Sequence, residues 1–380
     1  MATDESVHNK SVQLMAAVEP RPGHPYYMYD AICEQPDALR RTLERNHVAA
    51  AELARELAAA PALRLAGIGT SLNAALYGAY WMRAVGGLMR VNALSSFDLA
   101  NYFPPLPPDS ALITLSHRGW KQFSARAVTD ARARGVLTAA ICGEGPNEGA
   151  RLADHLFITT EQEKSGAHTK SLTSAMALLF DLALEIRAVA HGNDEIAVAM
   201  RREFPAIPSR LEQRIADDSR ERAAAERLSR YSSIIITGAG PNYITAREIA
   251  LKLKEAAYVH AEALQIEEFL HGPIAAVDAD TLVILISAAA GAGADRALQA
   301  ARALGELGAA RLALVVAGAP APAAEVTIPV AASSETLSPF GLLLSLQLFT
   351  YYFALARGCD PDRNHRQDPR HAQAATHYDL

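Results

Sequence analysis

Cysteine is nearly absent from this chain. Cys33, Cys142 and Cys359 are the only three among 380 residues, and no two form a C-x-x-C pair. So sparse and odd a count excludes a disulfide framework and fits a reducing cytoplasm. The apolar core of a signal peptide is missing too, since the chain opens Met1-Ala2-Thr3-Asp4-Glu5-Ser6. Neither sign of charge dominates: 36 Lys and Arg face 42 Asp and Glu, for a net charge of −6. That balance excludes a broad nucleic-acid footprint and still permits a local basic site for an anion. The longest apolar run, Phe340–Ala356, is short for a membrane span and is interrupted by Ser345, Gln347 and Thr350. It reads as a buried or dimer-interface helix, and no membrane partner is expected. P-loop, HExxH and GxSxG motifs are lacking, which removes nucleotidase, zinc protease and hydrolase readings. No cofactor is expected, because Gly67-x-Gly69 and Gly238-x-Gly240 lack the third glycine of a dinucleotide fingerprint. No metal is expected either: His365, His371 and His377 match no standard ligand spacing.

What is present is half hydrophobic by composition, enough for two domains of roughly 150 residues each. Residues 1–27 are polar and proline-rich near their end and read as an N-terminal arm, followed by a helix over Met28–Leu43. An internal repeat then sets the architecture. The strand Leu63–Ala66 runs into Gly67-Ile68-Gly69-Thr70-Ser71. At an offset of 171 (238 − 67), Ser233–Thr237 runs into Gly238-Ala239-Gly240-Pro241-Asn242. The strands ending at Ser116 and Ser287 repeat the same offset (287 − 116). Further apolar runs, Val136–Cys142 and Leu312–Val316, alternate with helical patterns. The fold class is therefore α/β, two tandem doubly wound domains, each a parallel sheet flanked by helices. The first domain covers 28–195, a helical link 196–230, the second domain 231–357, and a tail 358–380. Within the link, the cluster Asp217–Arg222 reads as a solvated helix face.

Open α/β sheets bind ligands outside the carboxyl ends of their strands. That rule points to Gly67–Ser71, Ser116–Lys121 and Gly238–Tyr243. The run Ser116-His117-Arg118-Gly119-Trp120-Lys121 follows a strand and precedes a helical pattern over Gln122–Arg134. Backbone N–H groups and two cations at a helix N-terminus suit an anion. Later in the chain come Glu255 and His271, at a separation of 16 (271 − 255). A carboxylate with an imidazole can move protons on a sugar.

Four segments in order resemble the isomerase half of the glutamine–fructose-6-phosphate aminotransferases, which belong to the sugar isomerase (SIS) domain family. They are Met28–Pro36, Gly67–Ser71 with Tyr80-Trp81, Thr169–Thr173, and Gly240–Tyr243 running through Glu255 to His271-Gly272-Pro273. The resemblance implies two SIS domains, a homodimer with sites between subunits, and a phosphosugar ligand. It implies that Glu255 shuttles a proton between C1 and C2, and that His271 assists ring opening, often in the neighbouring subunit's site. Thr70, Ser71, Ser116, His117, Arg118, Gly119, Lys121, Gly166 and Thr169 are the residues expected to bind the sugar and its anion.

Three departures qualify the resemblance. Arg118 and Lys121 replace hydroxyl residues of the family's phosphate loop. His168 stands where relatives carry Ser. The tail has no lysine, the last in the chain being Lys254, so the Schiff-base nucleophile of the aminotransferases is missing, and an arginine cannot replace it. The tail is expected to cover the substrate or form an interface. The glutaminase half is also absent, so glutamine-dependent amination within this chain is not expected. The expected function is a phosphosugar isomerase or aminosugar-phosphate deaminase, acting on a sugar such as glucosamine 6-phosphate or fructose 6-phosphate. An Amadori-product deglycase is the alternative within the same chemistry, and a non-catalytic phosphosugar sensor the alternative outside it.

Overall fold

The computed structural model describes residues 18–378; most of the arm expected over 1–27 lies outside them. Two five-stranded sheets form the body, and all of their strand pairs are parallel. The first contains β1 (Leu63–Gly67), β2 (Val91–Ser95), β3 (Ala111–Leu115), β4 (Leu137–Cys142) and β5 (His155–Ile158) in the order β2-β1-β3-β4-β5. The second contains β6 (Ser233–Gly238), β7 (His260–Gln265), β8 (Thr281–Ser287), β9 (Ala310–Val316) and β10 (Val326–Val330), ordered β7-β6-β8-β9-β10. The two orders are the same doubly wound pattern, with a switch point beside the first strand of each sheet. The central strands β3 and β8 are buried along their whole length, as expected when helices cover both faces.

The repeat extends to backbone detail. Gly69 and Gly240, at the same offset as the strands, cap equivalent helices with φ/ψ of 60/−128° and 54/−130°, a region glycine enters without a Cβ penalty. A Cβ on Gly67 would lie 2.5 Å from the backbone of Ser71, and one on Gly238 would lie 2.4 Å from the Asn242 carbonyl oxygen. Strand end and helix start can approach this closely only with glycine. Gly67→Ala or Gly238→Ala is therefore expected to destabilise by about 1–3 kcal/mol through backbone displacement, read as a lower urea midpoint.

Two expectations need correction. The helix expected over 28–43 is two helices, Tyr27–Cys33 and Gln35–Ala59, with the second started by Pro36 in its first turn, where the missing N–H costs nothing. The Asp217–Arg222 cluster is not a uniformly solvated face. Glu221 is fully buried, paired with the Ser345 hydroxyl and with Arg214. Asp218 accepts hydrogen bonds from Tyr29 (3.0 Å) and Tyr352 (2.6 Å).

Ser345 lies on the helix Ser338–Ala356, the long apolar run, which is buried almost throughout. Polar positions inside that run serve the core. Gln347 accepts a 2.7 Å hydrogen bond from Gln35, and Ser345 donates to Glu221. By length and hydropathy the helix is of membrane-crossing size, but protein rather than lipid surrounds it here.

Candidate active site

The helices Thr70–Ala84 and Pro241–Ala257 occupy equivalent places in the two repeats and pack against each other. On the first, positions 70, 73 and 77 share one face. Thr70 Oγ1 donates to Glu248 Oε1 (3.0 Å), Asn73 Nδ2 to Glu248 Oε2 (2.7 Å), and the Tyr77 and Thr245 hydroxyls meet at 2.7 Å. Glu248 is fully buried. One turn on, Lys252, itself 1% exposed, sits 3.4 Å from Glu248 and 2.5 Å from Glu255. The two domains thus meet on a carboxylate–ammonium–carboxylate row that ends at Glu255.

Glu255 opens onto a cavity of about 750 Å³, within the size range of small-molecule sites. It lies at the first domain's switch point, where the ends of β1 and β3 diverge. Of the expected residues, Thr70, Ser71, Ser116, His117, Arg118, Lys121, Gly166 and Glu255 line it. The second domain contributes Lys252 and Glu255 but not the expected Gly238–Tyr243 segment. The protein fills its own second switch point: Ser287 Oγ donates to the Pro320 carbonyl (2.6 Å), and Asn242 Nδ2 donates to Ser338 Oγ (2.9 Å).

Three expected residues do not reach the cavity wall. Gly119 turns the loop with φ 72°, and its N–H is satisfied by the Ser116 carbonyl at 2.8 Å. A side chain there would strike Asn147, 2.5 Å from the added Cβ. Thr169 is fully buried and donates through N (2.8 Å) and Oγ1 (3.3 Å) to Glu163. His271 is 72% exposed and paired with Glu267 at 3.0 Å in its own chain.

Gly166 lines the cavity but spends its N–H on the tail, donating to the Asp362 carbonyl at 2.8 Å. A Cβ there would lie 2.7 Å from Asn364 Oδ1 and 2.9 Å from that same Asp362 oxygen. Gly166→Ala should therefore push the tail outward and raise KM more than it lowers kcat, measured by steady-state kinetics.

The sequence also left site residues unseen. Lys252, Asn364, Arg366 and the tail positions Ala372, Ala375, Thr376 and Tyr378 line the cavity. Asp362 anchors the tail by accepting from the backbone N–H of Tyr27 and of Met28, both at 2.9 Å. The i, i+3 spacing of Lys252 and Glu255 was a usable signal. For Arg366 the signal was the tail as a whole, expected to cover the substrate or form an interface; nothing singled out this arginine within it.

The charges are unevenly tuned. Burial pushes the Glu255 carboxyl above its ordinary value, with the neighbouring Lys252 ammonium opposing. Burial works against the Lys252 ammonium, but Glu255 and Glu248 outweigh it and keep Lys252 charged. Burial, then the Arg118 and Arg366 guanidiniums, push Lys121 down to about 8. Burial lowers His117 to about 4, so it is neutral near pH 7. The His117 ring meets His168 edge-on at 5.2 Å, and its Nε2 accepts from the Glu163 N–H at 3.3 Å. His168 also lines the cavity and is likewise held neutral by burial.

His365, Asp368 and His371 bring ligand-type atoms within 4.8 Å of one another. Their existing contacts compete with a metal. His365 stacks on Tyr258 at 4.0 Å and meets His371 at a tilt, also at 4.0 Å, and Asp368 caps the helix Pro369–Ala374.

Comparison with known proteins places this architecture. The glutamine–fructose-6-phosphate aminotransferase of Pectobacterium atrosepticum is 29% identical over 355 residues, spanning 89% of this chain and 57% of its own. That of Photorhabdus laumondii is 30% identical with the same coverage. The chain thus spans little more than half the length of these curated relatives. In structure, the C-terminal domain of glucosamine-fructose-6-phosphate aminotransferase from Francisella tularensis superposes with a TM-score of 0.81 at 22% identity. That match covers 90% of this chain and 99% of the other. The glucosamine-6-phosphate deaminase of Thermotoga maritima superposes with a TM-score of 0.69 at 21% identity, covering 89% and 97%. At these identities both structures establish the fold alone. The SIS domain profile matches residues 56–185 and 227–357, one stretch around each parallel sheet, and by that match the chain belongs to the SIS domain family.

Proposed function

We propose that this protein is a phosphosugar isomerase or aminosugar-phosphate deaminase, moving a proton between C1 and C2 of an open-chain sugar phosphate. The carrying observation is Glu255, a carboxylate with a raised pKa on the wall of a cavity that also presents Arg118 and Lys121. A carbon-bound proton needs a base poised near the working pH and partly shielded from water. Lys252 holds the Glu255 carboxylate in place and limits how far burial raises its pKa. Glu255 takes the proton from one carbon while the carbonyl oxygen gains one, giving an enediol or enolamine. Glu255 then returns the proton to the neighbouring carbon while the adjacent hydroxyl loses its own, and in the deaminase case water adds to the resulting imine and ammonia leaves.

His271 is too exposed in its own chain to serve its own cavity, so its ring-opening role is assigned to the cavity of a second copy in a homodimer. The relatives' names support the substrate class, one being a glucosamine-6-phosphate deaminase. Because Glu255 must be ionised to act, the acid limb of kcat/KM should lie above the ordinary glutamate value of about 4.3. Lysine is a cation below its pKa, so KM should rise as pH passes about 8 and Lys121 is lost as a cation.

The test is incubation with glucosamine 6-phosphate and with fructose 6-phosphate, following ammonia and the sugar products. Ammonia from the first makes the protein a deaminase; aldose–ketose conversion of the second without ammonia makes it an isomerase. No conversion of either sugar contradicts the reading.

A further inference from the structure

We propose that Arg366, carried by the C-terminal tail, is the third cation of the anion site, so that the phosphate end of the substrate is gripped between the β3 loop and the tail. The substrate class rests on the proposed function; the anion site stands on its own observations. Arg118 and Lys121 line the cavity, and neither side chain makes a hydrogen bond or ion pair with another described residue. Arg366 lines the same cavity and bears electrostatically on both. Burial and mutual repulsion disfavour the loop cations, with Glu163 offsetting this in part at Arg118, and a bound anion relieves such repulsion. Ser116 lines the same cavity, only 9% exposed, and its buried Oγ has no hydrogen-bond partner. The N-terminus of the eleven-residue helix Gln122–Arg132 begins there.

The internal repeat shows that these charges serve the site rather than the fold. Where the repeat offset carries Ser116, Arg118 and Lys121 into the second domain, the chain has Ser287, Ala289 and Ala292. The serine is kept; both cations are not. Arg366 is also held in place on either side. His365 stacks on Tyr258 at 4.0 Å with ring planes 6° apart, and Gln367 donates to the Tyr258 hydroxyl at 3.1 Å. Tyr258, which caps the C-terminus of the Glu255 helix, donates to the Asp360 carbonyl at 2.6 Å. The tail cation is therefore tied to the end of the helix that carries the proposed base. An anion bridging Arg366 to the β3 loop would hold the following segment, Ala372 to Tyr378, where it already lines the cavity.

A phosphate dianion, with charge of about −1.5 to −2 near neutrality, suits three cations better than a single carboxylate does. The experiment is calorimetric titration of the full chain with inorganic phosphate at low salt, paired with tryptic digestion of the tail with and without phosphate. Arg366→Gln is expected to weaken phosphate binding roughly tenfold or more, the worth of one charged hydrogen bond, and to abolish phosphate protection of the tail. Arg366→Lys should restore most of the affinity, and Arg363→Gln, which removes a tail charge outside the cavity, should leave phosphate affinity unchanged and phosphate protection intact at the remaining Arg370 site. In sugar-phosphate turnover, Arg366→Gln should raise KM and leave kcat nearly unchanged. Equal phosphate affinity in Arg366→Gln and wild type, or no phosphate binding by wild type, overturns the proposal. Phosphate binding that depends on Arg366 in a protein that converts no sugar phosphate overturns the functional reading and leaves this inference standing.

Discussion

Replacing Glu255 by Gln is expected to lower kcat by about 10²–10⁴-fold, the usual range for loss of a positioned acid–base group. Inorganic phosphate should bind the variant as it binds wild type, because Arg118 and Lys121 lie on the first domain and Glu255 on the second. Gln preserves the shape of the side chain but removes one of the two carboxylates facing Lys252, leaving Glu248 at 3.4 Å, so a urea midpoint measured beside kcat separates lost proton transfer from lost stability. Turnover at the wild-type rate would place the base elsewhere, with the neutral His168 on the same cavity wall the next residue to test.

Replacing Lys252 by Met should give the largest loss of stability in the chain. The ammonium is 1% exposed and faces Glu248, which is 0% exposed. Removing one partner of a buried charge set leaves the other uncompensated, at a cost of about 3–5 kcal/mol. The companion change Glu248→Gln removes the stranded charge, so the double variant should unfold at higher urea than Lys252→Met alone, a coupling seen only between contacting residues. Activity gives a second readout. Lys252 opposes the burial that raises the Glu255 pKa, so its loss should move the acid limb of kcat/KM to higher pH. A strictly structural lysine would lower stability and leave that limb in place.

These two residues also mark how far the sequence could be read. The tandem architecture was legible because strand ends and glycine turns are local signals, and several of them share one offset, to which β5 and β10, beginning at His155 and Val326, also conform. The position of the Ser116–Lys121 loop on the cavity was legible from its place after β3, since strand-end loops at a switch point are where such sheets bind ligands. What was not legible depends on packing between distant segments. Lys252 stands in plain view, one helical turn before Glu255, yet its role requires Glu248, and Glu248 is buried only because the helix Thr70–Ala84 packs across it. Arg366 lies far beyond Glu255 in the chain and reaches the cavity through a tail anchored at Asp362 and Tyr258. Thr169 sits in a family-like segment, but its hydroxyl and N–H turn inward to Glu163 rather than toward the cavity. The Asp217–Arg222 run has the composition of a solvated face. Only the buried hydroxyl of Ser345 and the guanidinium of Arg214 explain why Glu221 is inside. The exposed His271 follows the same logic across a larger distance, since its proposed partner surface belongs to a second copy.

Carbon–hydrogen exchange tests the central claim most directly. The protein is incubated in deuterated buffer with glucosamine 6-phosphate or fructose 6-phosphate, and deuterium at C1 and C2 is followed by NMR, with Glu255→Gln alongside. Deuterium entering C1 or C2 with wild type and failing to enter with Glu255→Gln is the predicted result. A wild-type protein that binds either sugar phosphate yet exchanges no carbon-bound proton contradicts the account and leaves a protein that senses its ligand without transforming it.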